Sequence, residues 1–484
     1  MQSLKKNVIY QNLYHLFISL TPLITAPYVS RVLGAENIGI NSYVSSITAY
    51  FAFLSLLGIS NHGSRVIAQT RDERMKLNIA FSELFFLRMM ISLFILFIYL
   101  IFVITFITEF QLLFFIQALT VLSALINITW FFTGIEQFRI AVSCKAIVKI
   151  VSVICIFSFV KNDSHLWIYI LILALSEFLV HIILWFYVKR FVSLVRPTFK
   201  GIKTHIKPLF ILFVPVLAVS IYTVLNKIML RTITDETQLG FFVNSEKVFA
   251  VASGFISAFS IALMPRMSNL SAKKGNFEKN RLMILSMKYA MILAFAMTFG
   301  MLSIASVFTP LFFGKDFIDC IPLIISFSLA IPFIAFRNVI SAQYHIPQSK
   351  DKTFTLTSII GALISLPANM ILIPQFQAMG AVWSRLIVEV IMCIIISISV
   401  LKILPLWVYI KDIIPFLITG FMMFFLVKSV GIFIGQSIFS LIIQVLTGGI
   451  FYLGVSVGWL VFTKDEFFMR NWYVFRKWFR GHIK

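Results

Sequence analysis

The chain has 484 residues, 60% of them hydrophobic and only 12% charged, with a mean hydropathy of +0.96. That leaves too little polar surface to cover a water-soluble globule of this size. The net charge of +22 would suit a nucleic-acid ligand, but in so apolar a chain excess Lys and Arg mark cytoplasmic loops, and their placement below excludes nucleic acid as a partner.

Read from the N-terminus, apolar segments long enough to span a bilayer, on the order of 20 residues each, fall at 8–30, 38–60, 84–106, 111–133, 146–160, 167–188, 209–230, 240–265, 284–308, 320–341, 353–374, 380–401, 413–434 and 438–462. The expected fold is therefore an all-α polytopic membrane protein of about 14 transmembrane helices. Lys5 and Lys6 before the first span resemble the charged region of a signal peptide. The stretch is long, however, contains Pro22 and Pro27 and lacks a small-residue cleavage site, so it reads as a retained helix. With the N-terminus inside, 29 of the 41 Lys and Arg lie in inside segments and only Arg31, Lys161, Arg231 and Lys315 in outside loops. This asymmetry predicts a multi-pass membrane protein with both termini in the cytoplasm. The C-terminal "KDEFFMRNWYVFRKWFRGHIK" mixes cations with aromatics, as either an interfacial helix on anionic lipid or a positive-inside tail would. Cys144, Cys155, Cys320 and Cys393 stand singly and indicate neither a disulfide framework nor a metal site.

The stretch "YVSRVLGAENIG" after span 1 returns in altered form as "RTITDETQLGFFVN" after span 7. Arg31 matches Arg231 and Gly39 matches Gly240, an offset of about 200 that persists to Arg65 and Arg266 and to Arg88 and Lys288. Glu177 and Glu389 correspond more roughly, with the offset grown to 212. Six spans are thus followed by six in the same orientation, a parallel repeat of the kind found in secondary transporters. The expected organisation is an N-terminal six-helix lobe at 1–188, a basic linker at 189–208, a second lobe at 209–401, two further spans within 402–462 and a basic aromatic tail at 463–484.

Eight cations lie inside these spans, Arg88, Lys149, Lys227, Lys247, Lys288, Arg337, Arg385 and Lys428, against the acids Glu83, Glu177, Glu246 and Glu389. An ion near the bilayer centre costs at least ~2.5 kcal/mol, so such groups face protein or water, and the excess of cations implies a cavity that attracts anions. Simple pairing is an alternative for Arg385 with Glu389, four apart on one helix, and interfacial snorkelling for Glu83 and Lys428. In span 1, Asn7, Gln11, His15 and Ser19 recur every four residues and form a polar face, and span 7 has a similar stripe in Ser220, Thr223 and Lys227. The sequence contains no Walker, HExxH or GxSxG motif and no loop large enough to seat a sugar donor and acceptor, so no enzyme is expected and no metal site.

"YVSRVLGAENIGINSYVSSI", "LLGISNHGSRVIAQTRDE", "WFFTGIEQF" and "NMILIPQFQAMGAVWSRLIVE" together resemble the polysaccharide transporter family of Wzx-type oligosaccharide flippases. That family sits in the superfamily that also holds the MATE transporters and the lipid II flippases. The resemblance covers roughly residues 5 to 400. It implies two pseudo-symmetric, MATE-like six-helix lobes facing a central cavity that opens to either side in turn. It also implies flipping of an undecaprenyl-pyrophosphate-linked oligosaccharide repeat unit from the inner to the outer leaflet for capsule, O-antigen or exopolysaccharide assembly. The alternatives are a MATE-type antiporter for cationic drugs and a lipid II flippase. By placement, Arg31, Arg88, Lys227, Lys247, Lys288 and Arg337 are candidates for the anionic headgroup, and Asn7, Gln11 and His15 for sugar hydroxyls. Glu177, Glu246 and Glu389 are candidates for H+ or Na+ coupling, with no other cofactor expected. The expected partners are the lipid-linked oligosaccharide, membrane lipids, and a polysaccharide polymerase with its chain-length regulator.

Overall fold

Gly34 interrupts what is otherwise one helix, α1 (Gln2–Leu56), by adopting φ 76° and ψ 174°. Only a residue without Cβ takes that conformation at no steric cost, so the polar stretch after span 1 turns the chain in about one residue. In the computed structural model, the described backbone covers residues 2–264, 267, 276–348, 351–465, 467–469 and 472. Its side chains are described except at 2–20 and at a few positions within 214–222, 261–279 and 351–354.

All regular structure among these residues is helical, as an apolar environment demands, since a helix satisfies its own backbone groups. The N-terminal half continues with α2 (Ile59–Thr70), α3 (Arg74–Phe106), α4 (Gln111–Ile126), α5 (Thr129–Gly134), α6 (Phe138–Phe159), α7 (Leu166–Val188), α8 (Phe199–Ser220) and α9 (Asn226–Ile233). A short π-helical stretch, Ile221–Leu225, joins α8 to α9. Then follow α10 (Glu236–Ala262), α11 (Asn276–Phe312), α12 (Cys320–Ser328), α13 (Ile331–Ile340), α14 (Asp351–Val400), α15 (Leu406–Ile434) and α16 (Ile438–Phe462). Among the described residues, eleven helical segments are long and apolar enough to cross a membrane. Two of them occupy the place of two expected spans each, because α1 and α14 are bent at Gly34 and Gln377 rather than opened into loops. The all-α polytopic fold stands, with 13 of the expected 14 spans falling in these segments and the span expected at 209–230 in none of them.

The chain divides into two compact units, Met1–Val243 with Ser365–Ala381, and Asn244–Ile364 with Val382–Lys484. In the first, the core is aromatic. Phe81 of α3 stacks on Phe85 and Trp130 and meets Phe131 and Trp185 edge to face, arrangements that add to simple area burial. Here two of the sequence stretches noted above interlock. A Cβ on Gly63 of α2 would lie 2.7 Å from the Trp130 ring, and one on Gly134 of α5 would lie 2.6 Å from Ile67. Polar groups inside this unit find partners, as burial requires. The fully buried Tyr99 donates to the Phe114 carbonyl at 2.7 Å and contacts Thr48 Oγ1 at 3.1 Å, and the Trp185 indole donates to the Ile126 carbonyl at 2.8 Å. In the second unit, α15 and α16 pack against α11, where Gly420 lies under Phe299 and Tyr452 donates to the Ile292 carbonyl at 2.8 Å.

Candidate functional site

In the first unit the charged residues fall into local groups. Arg88 of α3 is 2% exposed, and its terminal nitrogens donate to the carbonyls of Ala124 and Asn127, where α4 ends before α5 begins. Those carbonyls have no helical partner of their own, so the guanidinium closes the break. Lys145 and Lys149, one turn apart on α6, interact electrostatically with Glu177 on the neighbouring α7. His181, one turn beyond Glu177, is buried with no hydrogen-bond partner for Nδ1 among the described residues.

Two further groups sit at the ends of the helices. His62 Nε2 lies 3.0 Å from His205 Nδ1, and His205 Nε2 lies 3.7 Å from a Glu83 carboxylate oxygen that also belongs to the group accepting the Thr198 hydroxyl at 2.8 Å. This ties the basic linker and the start of α8 to α2 and α3. Burial lowers the His205 pKa, while the neighbouring Glu83 carboxylate opposes that shift. Near the expected outside loops, Arg231 donates to Glu236 through Nε at 3.0 Å and Nη2 at 2.7 Å and also pairs with Glu109. Its guanidinium lies 5.0 Å from the centre of the Tyr43 ring, a cation–π distance.

Beside Arg231, the first turns of two helical segments cross at backbone contact. A Cβ on Gly39 would lie 1.7 Å from the Glu236 carbonyl oxygen, and one on Gly240 would lie 1.9 Å from that of Ala35. Gly39 and Gly240 are the pair matched by the internal offset, and Ala35 and Glu236 obey the same spacing.

In the second unit, Glu389 of α14 is 1% exposed and faces two cations, Arg337 of α13 at 3.0 Å and Arg385 one turn back at 3.3 Å. Lys288 of α11 pairs with Asp465 at 2.9 Å and with Asp412 at 3.5 Å. The Asp465 carboxylate also accepts from the Tyr289 hydroxyl at 3.3 Å and the Phe468 amide at 3.0 Å. Burial works to raise the Asp465 pKa, but the amide, the ammonium and the hydroxyl outweigh it and hold the carboxyl below its ordinary range. Lys247 donates to Asn244 at 2.8 Å.

Of the residues proposed for an anionic headgroup, Arg88, Lys288 and Arg337 therefore have partners inside one unit. Arg337 and Glu389, expected in different roles, form one ion pair. Arg31 and Glu177 are exposed, and Lys227, Lys247 and Glu246 are half-buried. The side chains of Asn7, Gln11 and His15, the residue Arg266 and most of the tail beyond Asp465 lie outside the described residues.

Counting charge span by span misses the acids that balance it. Asp412, Asp465, Glu109 and Glu236 lie outside the predicted spans, yet they supply the carboxylates for Lys288 and Arg231. No local spacing signals a pair such as Lys288 and Asp465. Lys145 carried a legible signal, four residues from Lys149, but stood one residue outside the predicted span.

A family model described as polysaccharide biosynthesis protein matches residues 4–271. A curated relative from Shigella dysenteriae, named "Putative O-antigen transporter", is 25% identical over 395 residues, covering 80% of this chain and 98% of its own length. Its namesake from Escherichia coli (strain K12) is 24% identical over 417 residues, covering 82% and 96%. Among solved structures, the lipid II flippase MurJ in an inward closed conformation aligns with a TM-score of 0.77 at 16% identity, covering 95% of this chain and 100% of that one. An inward-facing multidrug resistance MATE family transporter of the MOP superfamily aligns with a TM-score of 0.62 at 14% identity, covering 83% and 98%. At these identities the structural likeness establishes the fold.

Proposed function

This chain belongs to the polysaccharide biosynthesis protein family, and on that premise we propose that it is a flippase for lipid-linked oligosaccharides. It would carry an undecaprenyl-pyrophosphate-linked repeat unit from the cytoplasmic to the outer leaflet by alternating access, for O-antigen, capsule or exopolysaccharide assembly. The observation that carries the reading is the near full-length correspondence with two O-antigen transporter relatives, which the chain covers over 98% and 96% of their length. The match thus extends to whole transporters rather than to one shared segment.

The physical requirement fits the chain. A diphosphate with its sugars cannot enter hydrocarbon without losing hydration that nothing there replaces, whereas the polyprenyl tail can stay in the bilayer. The protein is multi-pass, and the Lys and Arg asymmetry supports an inner-membrane setting with both termini in the cytoplasm. Arg31, Arg88, Lys227, Lys247, Lys288 and Arg337 are our candidate contacts for the diphosphate, and Arg88, Lys288 and Arg337 also hold helices in place through their partners within their own units. Asn7, Gln11 and His15 are assigned to sugar hydroxyls, Glu177 and Glu246 to H+ or Na+ coupling, and a polymerase with its chain-length regulator is the partner for the flipped product.

Deleting the gene while leaving the synthesis enzymes intact tests the reading. Undecaprenyl-pyrophosphoryl oligosaccharide should accumulate on the cytoplasmic face and surface polymer should disappear, with both reversed by a plasmid copy. An unchanged lipid pool and unchanged polymer would overturn it, and a rise in sensitivity to cationic drugs would then favour the antiporter.

A further inference from the structure

The aromatic core of the first unit supports a basic pocket to which nothing above assigns a role. The α2–α3 turn, the α5–α6 turn and the end of α7 converge on a cavity of about 430 Å³ whose lining includes Arg71, Arg74, Arg190, Gln137 and Phe191 together with the acid Asp72. Its rim is built rather than loose. Gly63 packs under Trp130 and Gly134 under Ile67, which fixes the two turns against each other. Arg71 is paired at 2.7 Å with Glu136, a non-glycine residue held at φ 58°, a conformation that persists only where surrounding structure enforces it. With Arg71 neutralised in this way, Arg74 and Arg190 are left exposed to the cavity, and neither makes an ion pair among the described residues.

The surroundings narrow the class of ligand. Met75 beside Arg74 is 62% exposed and Phe186, four residues before Arg190, is 70% exposed, while the Arg190 guanidinium lies 5.5 Å from the centre of the Tyr187 ring. Exposed apolar and aromatic groups interleaved with arginines are the composition of a membrane–water interface that holds anionic headgroups. Guanidinium groups match phosphate oxygens bidentately, which ammonium groups do not. The charge asymmetry assigns these three turns to the cytoplasmic side.

We propose that the Arg71, Arg74 and Arg190 pocket is a binding site for a phosphate-bearing lipid headgroup at the cytoplasmic surface. Its ligand is either the diphosphate of the substrate before transport, which rests on the function proposed above, or the phosphate of an anionic phospholipid, which does not.

The test is native mass spectrometry of the purified full chain with undecaprenyl pyrophosphate and, separately, with dioleoylphosphatidylglycerol. The Arg74→Gln/Arg190→Gln variant should bind at least one of these roughly tenfold or more weakly, given the usual contribution of each cation at such a surface. Lys402→Gln/Lys411→Gln, removing the same charge from the second unit, should bind as the parent does. Gln137→Glu keeps every arginine and should weaken binding in the same direction, which covers the case in which the double variant does not fold. Loss confined to undecaprenyl pyrophosphate supports the substrate as ligand, and loss of both lipids supports a general headgroup site. Unchanged binding of both lipids by the folded variants overturns the pocket. If the variants lose lipid while gene deletion leaves surface polymer intact, the pocket stands and the flippase reading falls.

Discussion

Glu389 faces Arg337 and Arg385 in a place where water does not reach it, with 1% of its surface exposed. Removing one member of such a group leaves the others charged and uncompensated, which costs about 3–5 kcal/mol. Glu389→Gln should therefore lower the unfolding midpoint in detergent strongly. Arg337→Gln added to it should restore part of the loss, because one uncompensated cation is then gone. Parent-like stability of Glu389→Gln would show that the three charges do not act as a group. The pairing of Arg385 with Glu389 was legible in their four-residue spacing, but the approach of Arg337 from another helix was not. Arg88 teaches the same lesson. Its presence mid-span signalled a buried cation, while its partners are two carbonyls that become acceptors only because α4 stops at Ile126.

At the scale of elements, the sequence announced the helices and concealed how they are fastened. Hydrophobic windows placed the spans because length and apolarity are local properties. In a hydropathy window the bends of α1 at Gly34 and of α14 at Gln377 look like the ends of separate spans, since a window cannot tell a one-residue kink from a short loop. The junction of α11 with the start of the tail was hidden altogether, as Lys288 and Asp465 are 177 positions apart. Because the folded state holds Asp465 below its ordinary pKa, its stabilising effect is present above the unfolded value and is lost as pH falls through the folded one. Asp465→Asn should lower the unfolding midpoint at pH 7, and the gap to the parent should narrow on acidification below about pH 4. A gap independent of pH would detach the effect from this carboxylate.

For the molecule as a whole, positions 201 apart in the sequence make reciprocal contacts. Gly39 rests on the Glu236 carbonyl and Gly240 on that of Ala35, so each contact is the counterpart of the other under the same offset. Such a crossing is isologous, the form of contact by which two identical chains associate about a two-fold axis, here made within one polypeptide. Two positions then report on a single gap. Opening it for one methyl group opens it for the other, so the usual overpacking cost of ~1–3 kcal/mol should be incurred mainly once. Gly39→Ala and Gly240→Ala should each lower stability, and the double variant should lose clearly less than the sum of the two in a thermodynamic cycle. Simple additivity would mean that the two glycines relax separately. Such a coupling places, inside one polypeptide, the self-recognition of a dimer.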